Sequence, residues 1–385
     1  MKIVVAADKF KGTLNAVDVC NIIKKAFLSV FEDAIIDVAP VADGGEGTLD
    51  VFLQQEHTHK ERCLVRGPLT KKIESFYVMN TKTNKAIIEL AKVCGIQLIR
   101  ECDLNPKITT TYGVGEMIIH ALDLGVRDFI IGLGGSCTND GGAGMIQALG
   151  AKLYDFDGKK LNQGGVNLRK LSKIDISALD ERLKDSTFLI ASDVKNQLTG
   201  PLGATRVFAS QKGANEEDVI MLEEALINYK YIITKLTNKN LDIEGIGAAG
   251  GLSTPLLAFS NTKIESGIDV VLKNINLSER LKQADICITG EGKTDEQTKY
   301  GKAPYGVASL ARKVKPDIVN ICISGSVTEN ISELFDIFDI IIPTIKNSSA
   351  SLENIKKNSE KMLYKAAFGV AQSIFTNLKM HNRYL

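Results

Sequence analysis

Both ends of the chain alternate short apolar segments with helical patterns. Near the amino terminus, "IVVAA" (3–7) and "AIIDVAPV" (34–41) are typical of buried strands, and the apolar residues between them recur at spacings of three and four. Near the carboxyl terminus the same alternation returns with "ADICITG" (284–290), "DIVNICISG" (317–325) and "FDIIIPT" (338–344). Strands that alternate with helices form parallel sheets. The pattern therefore predicts an open parallel sheet built from both ends of the chain.

The middle of the chain follows a different pattern. Short strand-like segments between about 60 and 95 are joined by the polar turn "TKTNK" (81–85), which favours antiparallel pairing. A helical pattern at 115–125 precedes the apolar "DFIIGLGG" (128–135), and "STFLIASDV" (186–194) is typical of a further strand. We therefore predict a second α/β domain with a mixed sheet, inserted between the two halves of the first.

The predicted boundaries place residues 1–62 and 285–385 in one discontinuous α/β domain and residues 63–284 in the inserted one. The alternative is two consecutive domains. That arrangement would leave the first domain with only two parallel strands, which is too few for a stable sheet. A chain of 385 residues is long enough for two domains.

Composition argues against several classes of protein. Lys and Arg total 47 and Asp and Glu total 46, so no strong field favours nucleic acid or an anionic membrane. Seven scattered cysteines without a CxxC spacing are typical of a reduced, cytosolic protein. No apolar run approaches the ~20 residues of a membrane span, and the apolar run after Lys2 is too short for a signal peptide. We expect a cytoplasmic protein that binds neither nucleic acid nor membrane.

The segment "IGLGGSCTNDGGAGM" (131–145) holds six glycines between an apolar strand and a helical pattern. Helix N-termini bind anions through unpaired N–H groups, and glycines let the backbone approach a phosphate closely. An ordinary capped helix start needs only one Gly and one Asn or Asp. We therefore predict that phosphate or nucleotide is bound here by Gly134, Gly135, Ser136, Thr138, Asn139, Asp140, Gly141 and Gly142.

Charged and small residues follow four predicted strands of the discontinuous domain, in "DKFKG" (8–12), "ADGGEGT" (42–48), "GEGKTDEQT" (290–298) and "SGS" (324–326). Ligands gather beyond the carboxyl ends of parallel strands, so these loops predict a site. Turn chemistry alone explains any one such loop, and explains four on one edge less well. The candidate carboxylates, each after a predicted strand, are Asp8, Asp43, Glu46, Asp193, Glu291 and Asp295.

Several familiar catalytic motifs are incomplete. The "GKT" at 292–294 has the tail of a phosphate-binding P-loop, but Cys287 stands where its first Gly belongs. "GIGAAG" (245–250) fits a dinucleotide fingerprint, but no clear strand precedes it. The four histidines lie outside the glycine-rich loops, which disfavours histidine catalysis and a zinc site. Glycine loops, lysines and carboxylates remain, and phosphoryl transfer uses these together with Mg²⁺.

Eight segments of the chain carry a family resemblance: "DKFKGTL" (8–14), "VADGGEGT" (41–48), "TTYGVGE" (110–116), "GGSCTNDGGAGMIQALGA" (134–151), "SDVKNQLTGPLGA" (192–204), "QKGA" (211–214), "GAAGGL" (247–252) and "ITGEGKTDEQTKYGKAPYGVA" (288–308). In this order, over nearly the whole chain, they resemble the bacterial type I glycerate kinase family. The resemblance implies ATP-dependent phosphorylation of D-glycerate with Mg²⁺, and a flavodoxin-like domain built from both chain ends. Two positions depart from the family pattern: Lys9 replaces a usual Ser and Gln197 a usual Pro.

Within that resemblance, Asp193 is expected to be the base or to orient the hydroxyl, and Lys11 to meet phosphate or the glycerate carboxylate. Glu291 and Asp295 are expected near Mg²⁺ or substrate, with Asp295 also among the catalytic groups. Lys293 is expected to meet phosphate. The expected substrate-binding residues are Asp8, Lys9, Asp43, Gly44, Gly45 and Glu46.

Several alternatives stay open on the sequence. Either the 2- or the 3-hydroxyl of glycerate could be phosphorylated, and another small hydroxy acid could be the acceptor. A sensor that only binds a nucleotide or phosphometabolite could use the same glycine loops, although it would not need a strand-end carboxylate such as Asp193. The sequence does not indicate which domain holds ATP, and it leaves a homodimer open.

Overall fold

The chain is described by a computed structural model over residues 1–345 and 352–381. It divides into two compact units. Met1–Asp43 and Ile268–Leu385 form what we call the terminal domain, and Gly44–Gly267 form the inserted domain.

Both domains are built from alternating strands and helices. The strands of the described residues are β1 (Lys2–Val5), β2 (Ile35–Val38), β3 (Thr58–Arg66), β4 (Lys72–Asn80), β5 (Lys85–Glu89), β6 (Asp128–Gly132), β7 (Lys152–Asp155), β8 (Leu171–Asp175), β9 (Thr187–Ala191), β10 (Asn261–Glu265), β11 (Ile286–Thr289), β12 (Lys293–Thr294), β13 (Val319–Ser324), β14 (Ser326–Val327) and β15 (Ile340–Pro343). The α-helices are α1 (Ala16–Leu28), α2 (Thr48–Phe52), α3 (Ala91–Cys94), α4 (Tyr112–Asp123), α5 (Ala143–Ala148), α6 (Ala204–Phe208), α7 (Glu216–Thr237), α8 (Thr254–Phe259), α9 (Gly267–Asn274), α10 (Leu277–Leu281), α11 (Ala303–Val314) and α12 (Leu352–His381).

The terminal domain contains a five-stranded parallel sheet in the order β2-β1-β11-β13-β15. Numbered along this domain, the order is 2-1-3-4-5, which is the flavodoxin order. Successive residues of a strand face opposite sides of the sheet. Ile321 and Ile323 of β13 accordingly pack in the cluster that contains α1 and α12, whereas Cys322 packs with Ala308 of α11. The predicted flavodoxin-like sheet, built from both chain ends, is confirmed.

Helix α12 covers one face of this sheet together with α1. Its buried residues Leu363, Ala367 and Ala371 recur at a spacing of four, which places them on a single side of the helix. Among the described residues, no helix combines the length and the apolarity that a membrane crossing needs.

The inserted domain contains a six-stranded mixed sheet in the order β3-β4-β5-β6-β9-β10. The strands β3, β4 and β5 pair antiparallel, and β5, β6, β9 and β10 pair parallel. Phe129 and Phe188, opposite each other on β6 and β9, stack with ring centroids 4.7 Å apart in the core. The predicted mixed sheet is confirmed.

The domain boundaries differ from those that the sequence pattern predicts. The compact units change at 43/44 and 267/268, instead of 62/63 and 284/285. Helix α2 packs on β5 of the inserted domain, and the N–H group of Leu49 donates to Glu89. At the other boundary, Arg280 of α10 donates to the Val38 carbonyl of the terminal domain. Both segments therefore belong with partners that are distant in sequence.

Candidate functional site

The loops that follow β1 and β11 in the terminal domain lie at the same edge of its sheet. Pairing continues past the ends of these strands, because the Asp8 N–H group donates to the Gly290 carbonyl at 2.9 Å. Asp8 and Glu291 therefore lie at the carboxyl edge, where ligands gather in such sheets. The structure brings Lys9, Asp43 and Glu291 into electrostatic range of Asp8.

Asp8 is a buried carboxylate within this group. Burial raises the pKa of Asp8 to about 7; Lys9 opposes the shift, and the negative charges of Asp43 and Glu291 add to it. The Lys9 N–H group donates to Oδ1 of Asp8 at 2.7 Å, and the Lys9 ammonium lies 4.0 Å from the same oxygen. Negative charges grouped in this way fit a divalent cation, which would neutralise them.

Glu291 is held by hydroxyl groups from the same loop. Its Oε1 accepts from the hydroxyls of Thr298 at 2.7 Å and Thr294 at 3.1 Å, and Oε2 lies 3.5 Å from the Lys302 ammonium. Burial raises the pKa of Glu291, and the Thr298 hydroxyl and Lys302 oppose the shift. The loop thus orients Glu291 before any ligand is bound.

Asp295 is engaged by two lysines. Lys302 donates to its Oδ1 at 2.8 Å, and the Lys293 ammonium lies 3.7 Å from Oδ2. The hydrogen bond from Lys302 is the main reason that the pKa of Asp295 lies below its usual value. These contacts hold Asp295 in place within its loop. Asp295 could bind a cation only if Lys293 or Lys302 moved away from its carboxylate. Lys11, the remaining predicted cation, is exposed in the middle of the loop between β1 and α1.

Within the described residues, no three or more His, Cys, Asp or Glu side chains are grouped so that they could hold a metal ion by themselves. Mg²⁺ commonly takes one or two carboxylates and completes its shell with phosphate oxygens and water. The buried carboxylates of Asp8 and Glu291 fit that role better than Asp295, which forms salt bridges with both Lys293 and Lys302.

In the inserted domain, the segment Gly44–Gly47 lies against two glycines, one at the end of β6 and one just after it. A Cβ at Gly134 would lie 2.6 Å from the Gly45 Cα, and one at Gly132 would lie 2.2 Å from the Gly44 carbonyl oxygen. No side chain fits there, so these glycines are required for close approach of two backbones. Glu46, on the same segment, is exposed.

Glu89, a residue that the sequence interpretation missed, fixes the same segment. Its Oε2 accepts from the N–H groups of Gly47 at 3.2 Å and Leu49 at 3.3 Å, and its Oε1 lies 3.9 Å from the Lys92 ammonium. Burial raises the pKa of Glu89, and Lys92 opposes the shift. The available signal was a carboxylate at the end of the apolar strand "AIIEL", which is the criterion that selected Asp8 and Asp193.

The glycine-rich loop divides into two parts. Gly134 is half-buried and Gly135 exposed, whereas Ser136 to Gly142 are buried. A Cβ at Gly141 would lie 2.8 Å from the Tyr229 ring, and one at Gly142 would lie 2.4 Å from the Leu252 carbonyl oxygen. Close packing inside the domain therefore explains the second pair of glycines.

Most of the polar groups at the start of α5 are paired within the domain. The N–H groups of Gly142 and Gly144 donate to the Asp140 carboxylate, and that of Met145 donates to the Thr111 hydroxyl. Asn139 donates to the Thr205 hydroxyl at 3.0 Å. This geometry favours a structural role for residues 138–142. It leaves Gly134, Gly135 and Ser136 as the part of the loop closest to solvent.

Lys212, also missed, lies beneath this loop. It is buried, and its ammonium donates to the Thr138 carbonyl at 2.7 Å. Burial lowers the pKa of Lys212 to about 8, and nearby Cys137, Cys94 and Asp140 oppose the shift. Its segment "QKGA" was among those that carry the family resemblance, although no role followed from it.

Asp193 lies in the loop after β9 and is exposed. Its Oδ1 accepts from the Ser266 hydroxyl at 2.9 Å and from the N–H group of Gly267 at 2.8 Å. Gly267 is the first residue of α9, so one oxygen of Asp193 stabilises a helix start. The carboxylate is thereby held in a fixed orientation.

Comparisons with known proteins agree over almost the full chain. The model of the "Glycerate kinase family" matches residues 3–375. "Glycerate 2-kinase" of Escherichia coli K12 is 38% identical over 98% of this chain and 99% of its own, and "Glycerate kinase" of Bacillus subtilis 168 is 39% identical over 97% and 98%. A crystal structure of a glycerate kinase 2 from Salmonella typhimurium LT2 superposes with a TM-score of 0.88 at 39% identity, covering 98% of this chain and 99% of that one. The chain therefore belongs to the glycerate kinase family.

Proposed function

We propose that this protein transfers the γ-phosphate of ATP to a hydroxyl group of D-glycerate, giving phosphoglycerate and ADP. The observation that carries the proposal is the family match over residues 3–375. It is supported by the group of carboxylates and lysines at the carboxyl edge of the flavodoxin-like sheet. Phosphoryl transfer needs positioned reactants and charge neutralisation more than covalent chemistry, and such a group supplies both.

Asp8 and Glu291 would hold Mg²⁺, which neutralises phosphate charge when it is bound. Lys9 and Lys11 lie on the loop that carries Asp8, and we assign them to phosphate or to the glycerate carboxylate. Lys302 keeps Glu291 and Asp295 in place. Asp43 adds negative charge beside Asp8.

In the inserted domain, we assign Gly134, Gly135 and Ser136 to contacts with phosphate oxygens. Asp193 is the candidate that accepts or orients the proton of the glycerate hydroxyl. Its contacts with Ser266 and Gly267 support this role, since a base must be held in one orientation to act. Glu46 and the backbone at Gly44 and Gly45 remain candidates for substrate contact.

The 2-hydroxyl is the acceptor that we favour, because the Escherichia coli relative carries the name "Glycerate 2-kinase". A cytoplasmic location is proposed from the seven free cysteines, which suit a reducing compartment. A homodimer stays a prediction.

The test is ADP release by the purified protein with ATP, Mg²⁺ and D-glycerate, followed by phosphorus NMR of the product. We expect ADP release that requires both glycerate and Mg²⁺, and a single product resonance that matches 2-phosphoglycerate. Tight ATP binding without glycerate-dependent ADP release would instead indicate a sensor. Turnover with another hydroxy acid but not with glycerate would show that the other hydroxy acid is the substrate.

A further inference from the structure

The inserted domain has an open cavity that none of the predicted site residues lines. Its volume is about 680 Å³, which is within the usual range for small-molecule sites. Gly150 and Ala151, which follow the end of α5, contribute to its wall, whereas the glycine-rich loop precedes the start of the same helix. The cavity and the glycine-rich loop therefore flank α5 at its two ends.

The charged side chains that line this cavity are all cationic: Arg66, Lys152 and Lys160. Neither lysine forms a salt bridge within the part of the chain that the structure describes. Asp175, the partner of Lys152 on β8, interacts electrostatically with Lys152 but lies outside the lining. The cavity wall itself therefore presents cations and no carboxylate, which favours an anionic ligand.

Glu116 and Tyr112 hold the side chain of Arg66 in place. Its Nε lies 3.4 Å from Oε1 of Glu116, and its guanidinium stacks over the Tyr112 ring at 4.3 Å. Its own backbone N–H group donates to Oε2 of Glu116 at 2.6 Å. A guanidinium fixed in this way presents its remaining N–H groups as a planar fork, which suits a carboxylate or a phosphate.

One residue of the cavity wall, Gln163, carries a buried acceptor. Oε1 of Gln163 is buried and accepts no hydrogen bond from the described residues. A buried carbonyl oxygen without a donor is costly, so Gln163 would gain a hydrogen bond if its side chain turned toward a ligand hydroxyl in the cavity. Gln147 nearby already donates to the Leu161 carbonyl at 3.2 Å.

We propose that this cavity binds a phosphorylated, hydroxylated carboxylic acid larger than glycerate. Its phosphate lies at Lys152 and Lys160, its carboxylate meets the Arg66 guanidinium, and a hydroxyl donates to Oε1 of Gln163. The segment "TTYGVGE" supplies both Tyr112 and Glu116 to this site, a role distinct from the transfer chemistry.

The test uses 6-phosphogluconate as the probe, with gluconate as its unphosphorylated counterpart. Calorimetry on the full chain should show saturable binding of 6-phosphogluconate. Gluconate should bind at least about tenfold more weakly, because it lacks the group that meets the lysines. Hydrogen–deuterium exchange should show that the probe protects residues 147–163.

The informative variant is Lys152→Ala with Lys160→Ala, and its matched control is Lys170→Ala with Lys184→Ala, two exposed lysines of the same domain. We expect the first pair to lose at least about tenfold in affinity for the probe and the control to keep it. Both should keep wild-type glycerate kinase turnover without the probe. Unchanged affinity in the first pair, protection confined to residues 134–142, or no binding up to about 10 mM would overturn the proposal.

Discussion

Thr111 donates both its backbone N–H group and its hydroxyl to Oδ2 of Asp140, at 2.8 and 3.0 Å. The hydroxyl of Thr111 also accepts from the N–H group of Met145. Two residues far apart in sequence therefore join the start of α4 to the glycine-rich loop and to α5. Thr111 directly precedes Tyr112, whose ring supports Arg66 in the cationic cavity.

Asp140→Asn should lower the free energy of unfolding by about 2 kcal/mol. Both carboxylate oxygens of Asp140 now accept hydrogen bonds, and in Asn one of these oxygens is replaced by an NH₂ group that cannot accept. Burial raises the pKa of Asp140, because a buried charge is unfavourable. The substitution removes that charge, and this offsets part of the lost stability. Urea unfolding measures the effect, with Asp157→Asn at an exposed turn as the control. If Asp140→Asn kept full stability but lost nucleotide affinity, Asp140 would contact the ligand after all.

Lys302→Met should reduce kcat/KM at least about tenfold, because Glu291 and Asp295 would lose the cation that positions both. Lys302→Arg should restore part of the activity. The control is Lys299→Met, three residues earlier, which pairs with Glu333 instead. Steady-state kinetics across a Mg²⁺ titration measure the effect. Equal losses in Lys299→Met and Lys302→Met would show general damage to the loop.

Asp193→Asn should lower kcat on the order of 10²–10⁴-fold, with little change in the KM for ATP. The Asn oxygen can still accept from Ser266 and Gly267, so the loop should keep its shape while the proton acceptor is lost. If Asp193 instead bound Mg²⁺, Mg-ATP binding would weaken and high Mg²⁺ would partly rescue turnover. Near wild-type kcat would leave Asp193 with its capping role alone.

Lys212 should make the protein more stable as the pH rises from about 8 to 10.5. Its pKa falls from 10.5 in the unfolded chain to about 8 in the fold, so in that window the unfolded state binds more protons. Buried Cys94 and Cys137, whose pKa values are raised, act in the opposite direction above about pH 9.

The difference between wild type and Lys212→Met isolates the lysine, because the two thiols and Asp140 are common to both proteins. Urea unfolding at several pH values should show that wild type gains relative to Lys212→Met as the pH rises, by an amount on the order of 1–3 kcal/mol. A difference that is constant with pH would mean that Lys212 keeps an ordinary pKa.

The alternation of strands and helices was sufficient to predict the parallel sheet of the terminal domain and its assembly from both chain ends. It could not locate the domain boundaries. Periodicity indicates that a segment is a helix, but it does not indicate which sheet the helix packs on. Helix α2 follows β2 in sequence and yet packs on β5. Arg280 likewise joins α10 to Asp37 and Val38, a pairing that depends on the folded chain.

For the candidate site, strand-end position found Asp8, Glu291 and Asp193. The same criterion could not show that Asp295 and Asp8 differ in their surroundings. Asp295 forms a salt bridge with a lysine, whereas Asp8 lies near other carboxylates. Lys302 and Lys212 were missed because the salt bridges of Lys302 and the burial of Lys212 are not visible in a sequence. The glycines at 141 and 142 looked like ligand contacts because tight internal packing and phosphate binding both need glycine.

The position of β1 between β2 and β11 has a consequence for the newly made polypeptide. The ribosome completes β2 long before β11, and at ~5–20 residues per second the interval is on the order of ten seconds or more. During that time the inserted domain, which has its own core, can fold, while one edge of β1 has no partner. A chain truncated before β11 would therefore have a folded inserted domain and an amino-terminal segment with an unpaired strand edge. Such a segment would be prone to aggregate and would be a substrate for chaperones and proteases.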